Sequence, residues 1–336
     1  MMSLRDKSLR DRFFGRGAIA LIALGVALVA APLVANDYLL TVLILILYFA
    51  YTGQAWNIMS GFAGQLSLGH ALYVGLGGYV SALLWLKLGI GPWLGVFAAV
   101  AVAATFGAVI GWLGFRFGIA GVYFALLTIA FAEFTRIGFD HIDYAGAAGG
   151  LFLRVEESGQ WWNLRGGTLM FYYLALALAV GALALTAWLA RTRLGYQWLA
   201  VREDEQAARA LGIDVFRAKM MAVLISSGLT AVGGVFTAFY SNNLFPSRVF
   251  DINRSIEIIL APIVGGLGTV FGPVVGAFIL TPLGEALTAL TDRLGINTPG
   301  VKAAFYGFAL MVIIVLKPAG VWPWLARVLR LTEPRR

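Results

Sequence analysis

The chain has 336 residues, 60% of them hydrophobic and only 12% charged, with a mean hydropathy of +0.84. A soluble domain carries about 25% charged residues, so a soluble globule is excluded and the chain reads as an all-α, polytopic integral membrane protein. The lack of cysteine excludes disulfides, thiolate metal sites and cysteine nucleophiles, and the net charge of +8 sits at the ends of apolar runs, a pattern of membrane orientation rather than of nucleic-acid binding.

A spanning helix needs about 20 mostly apolar residues. Arg5, Lys7, Arg10, Arg12 and Arg16 precede the first apolar run, 18–36. That run resembles a signal peptide but is long enough to span, and a second begins at Tyr38, so it is expected to stay as a first helix. Further spans are expected over 38–59, 68–87, 92–115, 118–138, 169–190, 219–240, 254–267, 270–290 and 300–316. This makes about ten crossings, or eight or nine if short runs such as 254–267 do not cross fully. Basic clusters favour the cytoplasmic side. Residues 1–17, Arg116, the loop 191–218 and the tail 317–336 (Lys317, Arg327, Arg330, Arg335, Arg336) are therefore expected inside, flanking a permease domain over 18–316. The segments 139–168, 241–253 and 291–299 are expected outside.

Two places interrupt the apolar pattern, Gly61 to His70 (GFAGQLSLGH) and Gly265 to Pro273 (GGLGTVFGP). Irregular backbone at membrane depth is tolerated only when buried in protein or lining a wet cavity. Paired interruptions in two halves of a transporter point to the path between them. Gly61, Gly64, Gln65, Ser67, Gly69, His70, Gly265, Gly266 and Gly268 are thus candidates for a path or gate. Close helix packing is the competing role, because Gly268, Gly272 and Gly276, like Ser67, Ala71 and Gly75, recur every four residues.

Charges within the spans are functional candidates by default, because their insertion costs about 2.5–3.5 kcal/mol. They are Glu133 and Arg136, spaced to pair on one helix face, together with Glu257 and Glu285. Asp140, His141 and Asp143 form the densest set of potential metal ligands, but they sit in an expected loop and no metal is expected.

The remaining polar stretch is an island from Arg191 to Lys219. Within it, Glu203 to Leu211 favours helix, Gly212 suits a C-cap and Asp214 suits an N-cap. No G-x-x-x-x-G-K-[ST] run exists to hold nucleotide, and there is no HExxH or G-x-S-x-G. Energy for transport would come from a partner or from an ion gradient.

NIMSGFAGQLSLGHALYVGLGGYVSALL (Asn57 to Leu84) resembles the signature region of LivM-type permeases of branched-chain amino acid ABC importers. The island RTRLGYQWLAVREDEQAARALGIDVFRAK is similar to that family's cytoplasmic coupling loop. SIEIILAPIVGGLGTVFGPVVGAFIL (Ser255 to Leu280) and VLKPAGVWP (Val315 to Pro323) follow in family order, so the resemblance covers nearly the whole chain. It implies a multi-pass subunit of the bacterial inner membrane, with no cofactor of its own. Its implied partners are a second related permease (LivH-type), two cytoplasmic ATPases carrying ATP and Mg, a periplasmic solute-binding protein and membrane lipid. Ala207, Ala208 and Gly212 match the Ala-Ala-x-x-x-Gly core of the loop that docks into the ATPase. Arg202, Glu205 and Gln206 flank that core, and the acid stands one position earlier than in the general importer pattern. The implied cargo is a branched-chain or similar hydrophobic amino acid, with urea, short amides and aromatic acids as alternatives. An ion-coupled carrier using Glu133, Glu257 or Glu285 is the competing class.

Overall fold

In the computed structural model, residues 24–153, 163–164, 166–293 and 300–328 are described. The basic residues Arg5 to Arg16 and the tail arginines Arg330, Arg335 and Arg336 lie outside them. Fourteen helices follow in order among the described residues. They are α1 (Leu24–Leu33), α2 (Asp37–Asn57), α3 (Ala71–Leu88), α4 (Pro92–Arg116) and α5 (Val122–His141). Next come α6 (Thr168–Leu189), α7 (Arg193–Glu203), α8 (Glu205–Ala210), α9 (Val215–Ser241) and α10 (Pro246–Val249). The last are α11 (Ile252–Gly265), α12 (Gly272–Arg293), α13 (Val301–Leu316) and α14 (Val321–Val328). One two-stranded antiparallel pair, β1 (Leu151–Phe152) and β2 (Asn243–Leu244), completes them.

Seven of these helices are long and apolar enough to cross a membrane: α2 with the π turn that extends it to Phe62, α3, α4, α5, α6, α9 and α12. The chain is a multi-pass, all-α membrane protein. Among the described residues, the other three expected spans correspond to shorter helices, α1, α11 with 14 residues and α13 with 16. For α11 the reason is visible. After α9 the chain turns back into the bundle, the Phe250 ring packs on Gly75 and stacks on Tyr79 at 5.8 Å, and Ser255 Oγ accepts from the Ala71 N–H at 2.9 Å. The helix therefore begins partway down α3, and little length remains.

Polar and small residues decide which helices are central. α2, α3 and α9 bury most of their surface, and α3 meets α9 where glycine removes the side chain. A Cβ on Gly77 would strike the Ala231 carbonyl, and one on Gly234 would strike the Val74 carbonyl. Along α4 a stripe of small residues, Gly95, Ala99, Ala103, Gly107 and Gly111, is buried against α3 and α9. Its other face exposes Trp93, Leu94, Phe97, Val109 and Trp112, as a lipid-facing helix does. The same close approach joins α11 to α12, where Gly265 abuts Gly272 and Gly276 abuts Ala261, so the four-residue spacing of Gly272 and Gly276 is used for packing.

The bundle has two distinct ends. At one end lie the α2–α3 link, α7 and α8, the α11–α12 link and α14. The other end is capped by the segment after α5 and the segment after α9, held together by β1 and β2. There Phe139 packs on Tyr79 and Phe250, and Lys87 lies over the Tyr144 ring at 5.1 Å.

Candidate functional site: the island and the two glycine links

The α2–α3 link is a buried unwound segment, built from polar side chains of four helices. α2 closes in the π turn Ile58–Phe62, and the chain then runs back alongside it before α3 starts. The returning backbone is satisfied group by group, as membrane depth requires. Trp56 Nε1 donates to Ser67 O at 2.7 Å, and Ser60 Oγ donates to Gln65 O at 2.9 Å. The N–H groups of Leu68 and Gly69 donate to Thr128 Oγ1 at 3.1 and 3.2 Å.

His70 stands at the centre of this network, fully buried with Ser67. Its Nδ1 lies 3.0 Å from Ser67 Oγ and its Nε2 lies 2.9 Å from Ser226 Oγ. Ser226 gives its single proton to Ala55 O at 2.7 Å, so toward His70 it accepts. The imidazole therefore carries a proton at Nε2, and in its neutral form Nδ1 accepts from Ser67. Ser67, His70 and Ser226 tie the link to α2, α3 and α9 in this arrangement, and Gln65 Nε2 donates to Ala63 O within the link at 3.0 Å.

The second glycine segment is brought against the first. Gly268 N–H donates to Asn57 Oδ1 at 2.8 Å, Asn57 Nδ2 donates to Thr269 O at 2.9 Å, and Gln54 Nε2 donates to Val270 O at 3.1 Å. Gly266 and Gly268 hold the turn with φ of 134° and 70°, a region open mainly to glycine. The sequence singled out both segments but not the side chains that join them. Gln54, Asn57, Thr128, Ser226 and Ser255 are polar residues inside apolar runs, and that was the available signal.

The island folds as two short helices with a break between them. Asp204, with φ −154° and ψ 112°, ends α7 and caps α8 by accepting from the N–H groups of Gln206 and Ala207 at 2.8 and 2.9 Å. The expected helix over 203–211 is thus divided at its second residue. Gly212 takes φ 81° and Asp214 caps α9 by accepting from Arg217 N–H at 2.9 Å, as expected.

The side chains of the island separate into two faces. Ala208 is buried against the bundle, while Gln206, Ala207, Ala210, Leu211 and Gly212 are exposed, Leu211 at 80%. Glu205 turns inward, bonding the nearly buried Lys219 at 2.5 Å and Arg209 at 2.8 Å. Arg202 also turns inward, where Nη1 donates to Gly61 O at 2.7 Å. Its remaining partner is Glu203, at 2.8 Å from Nη2.

Among the other charges, Arg136 binds Glu133 at 2.5 Å and Asp140 at 2.7 Å on the outer face of α5. His141 Nδ1 meets its own helix at Ile137 O, and no group of potential metal ligands gathers among the described residues. Glu257 lies 3.3 Å from Arg254, which sits over the rings of Tyr48 and Phe49. Glu257 also lines a shallow cleft with Phe49, Leu260, Ala261, Leu280 and Thr281. Glu285 is half-buried on α12.

Comparison with known proteins agrees with this architecture. Residues 38–316 match the family described as branched-chain amino acid transport system / permease component. The chain belongs to this family. It is 26% identical to the high-affinity branched-chain amino acid transport system permease protein LivM of Escherichia coli (strain K12), over 90% of this chain and 74% of that protein. LivH of the same system is 24% identical, over 81% of this chain and 90% of LivH. The autoinducer 2 import system permease protein LsrC of Salmonella typhimurium is 31% identical over 36% of this chain and 34% of its own length. No solved structure matches the chain. The matched region of this permease includes both glycine links and the whole island, and stops short of α14.

Proposed function

We propose that this permease is one of two membrane subunits of an ATP-driven importer in the bacterial inner membrane, and that a separate ATPase drives it through the outer face of α8. The observation that carries this reading is the two-faced island. Ala208 and the Glu205–Lys219 pair lock α8 to the bundle, whereas Ala207, Ala210 and Leu211 form a small apolar surface left uncovered among the described residues. A simple connector has no use for an exposed leucine on a helix capped at both ends. Gln206 is then the polar contact offered to the ATPase, since Glu205 and Arg202 are engaged inward.

In this reading the island end is cytoplasmic, both termini lie on that side, and α1, α11 and α13 bring the inserted helices to about ten. The second permease is a LivH-type subunit, two ATPases supply ATP and Mg, and a periplasmic binding protein delivers the solute. The solute is a branched-chain or similar hydrophobic amino acid. Urea, short amides and aromatic acids are the alternatives, and a ligand screen on the binding protein separates them. An ion-coupled carrier is disfavoured because Glu133 and Glu257 each already hold an arginine.

The test is retention of the ATPases on the affinity-purified permease, followed by uptake in proteoliposomes. Leu211→Glu should abolish both retention and uptake while the permease still elutes as a folded particle. Uptake that collapses with a proton uncoupler while ATP remains would overturn the reading.

A further inference from the structure

Arg202 is a long cation of the island whose head group points into the membrane bundle, and the space it occupies is made by glycine. Its Nη1 donates to Gly61 O at 2.7 Å. Gly64, at φ 70°, lies against its stem, so that a Cβ there would come within 2.8 Å of Cγ. Gly268, also at φ 70°, lies against its head, so that a Cβ there would come within 2.5 Å of Nη1. A Cβ on Gly61 would in turn strike Asn57 and the backbone nitrogen of Gly268. Two glycine links, Gly61–Gly64 and Gly268, far apart in sequence, thus meet around one guanidinium.

We propose that Arg202 is the transmission residue of this permease, the point at which movement of the island is passed to both glycine links together. Three features make the connection stiff enough for that role. Arg202 occupies the last turn of α7, immediately before the hinge at Asp204, so it moves with the rigid helix and not with the break. The guanidinium is planar and holds several donors in a fixed fork, which a lysine does not. It also sits where α2 and α7 end, and the free carbonyls of helix C-termini attract a cation. Beyond Gly61 the chain of contacts continues through Asn57 to Gly268 and Thr269 and through Gln54 to Val270. A displacement of α7 therefore pulls at once on the end of α2 and on the α11–α12 turn. These are backbone segments at φ values that permit reorganisation with no side chain in the way.

The inference rests on the reading that an ATPase drives the island, and its test keeps the two apart. Arg202→Met keeps the stem and removes the donors; Arg202→Lys keeps the charge and removes the fork. In the complete reconstituted complex, both variants should retain the ATPases at the wild-type level. Hydrolysis should continue but lose its stimulation by solute-loaded binding protein. Uptake should fall at least tenfold in Arg202→Met, and less in Arg202→Lys. Uptake and stimulated hydrolysis within twofold of wild type in Arg202→Met would overturn the transmission role and leave ATPase docking intact. Loss of ATPase retention from a folded Arg202→Met permease would also overturn it, by making Arg202 a docking residue.

A second measurement does not depend on activity. The chain has no cysteine, so Tyr196→Cys, at an exposed position of α7, and Leu267→Cys can carry a spin-label pair in the assembled complex. With Arg202 present, the label separation should stay narrowly distributed with and without ATP, because α7 and the glycine turn move as one. Arg202→Met should broaden that distribution. A distribution unchanged by Arg202→Met would refute the proposal even if uptake were lost.

Discussion

Replacing Ser226 with alanine is the sharpest test of the buried network at His70. The hydroxyl performs two tasks, accepting from His70 Nε2–H at 2.9 Å and donating to Ala55 O at 2.7 Å. Its removal leaves one donor and one acceptor without partners at a position that is 0% exposed. An average interhelical polar contact in a membrane protein contributes only about 0.6 kcal/mol, because the unfolded chain in the membrane finds other partners. A buried group stripped of its partner costs about 1–3 kcal/mol. Two such groups, discounted for that reference state, give an expected loss of about 1.5–3 kcal/mol. The neighbour supplies the control. Ser227 is equally buried, but its Oγ bonds only the Leu224 carbonyl of its own helix, at 3.1 Å. Ser227→Ala should therefore cost less than about 0.5 kcal/mol. The assay is reversible unfolding of the purified permease in mixed micelles with increasing denaturing detergent, read by helical circular dichroism. If Ser226→Ala destabilises no more than Ser227→Ala, the assigned tautomer and the hydrogen-bond direction are wrong.

Three further outcomes follow from the same geometry. Glu205→Ala should destabilise the permease by about 1–2 kcal/mol, well below a fully buried pair because Glu205 is 34% exposed; adding Lys219→Met should recover most of the loss, and a double-mutant cycle with no coupling would refute the pair. Gly212→Val places a β-branched residue at φ 81°, where the strain is about 1–2 kcal/mol even though no atom lies within reach of the new Cβ; uptake should fall in proteoliposomes while insertion, judged by protease protection, stays normal. Gly276→Val drives a side chain into the Ala261 backbone, so the α11–α12 pair cannot close; the yield of monodisperse protein in gel filtration should drop severely, whereas Gly181→Val, on α6 with open space around it, should leave it unchanged.

The sequence was informative in proportion to how local the physics is. The caps Gly212 and Asp214 were legible because a left-handed turn and an N-cap each depend on one residue type. Asp204 was equally polar but was overlooked, since Asp is tolerated within a helix and only the observed break reveals its role. The two alanines illustrate the limit. Ala207 and Ala208 look alike in sequence, yet one faces the bundle and the other faces outward, because the direction of α8 is set by the Glu205–Lys219 pair across 14 positions. Of the two hydrogen-bond partners of His70, Ser67 lies three positions away in the link, while Ser226 on α9 is 156 positions distant and leaves no spacing rule in the chain.

What the chain determined by itself is its class and its sites of interruption. Apolar runs of spanning length and glycines between runs follow from transfer free energies and backbone sterics, which act on each segment alone. Only the tertiary structure decided where α11 starts, because the chain after α9 folds back and begins it beside Ala71. It also decided that the two glycine links are one site. Asn57 and Arg202 join them through hydrogen bonds whose partners lie more than 100 residues apart, and contacts of that kind exist only once the helices have packed.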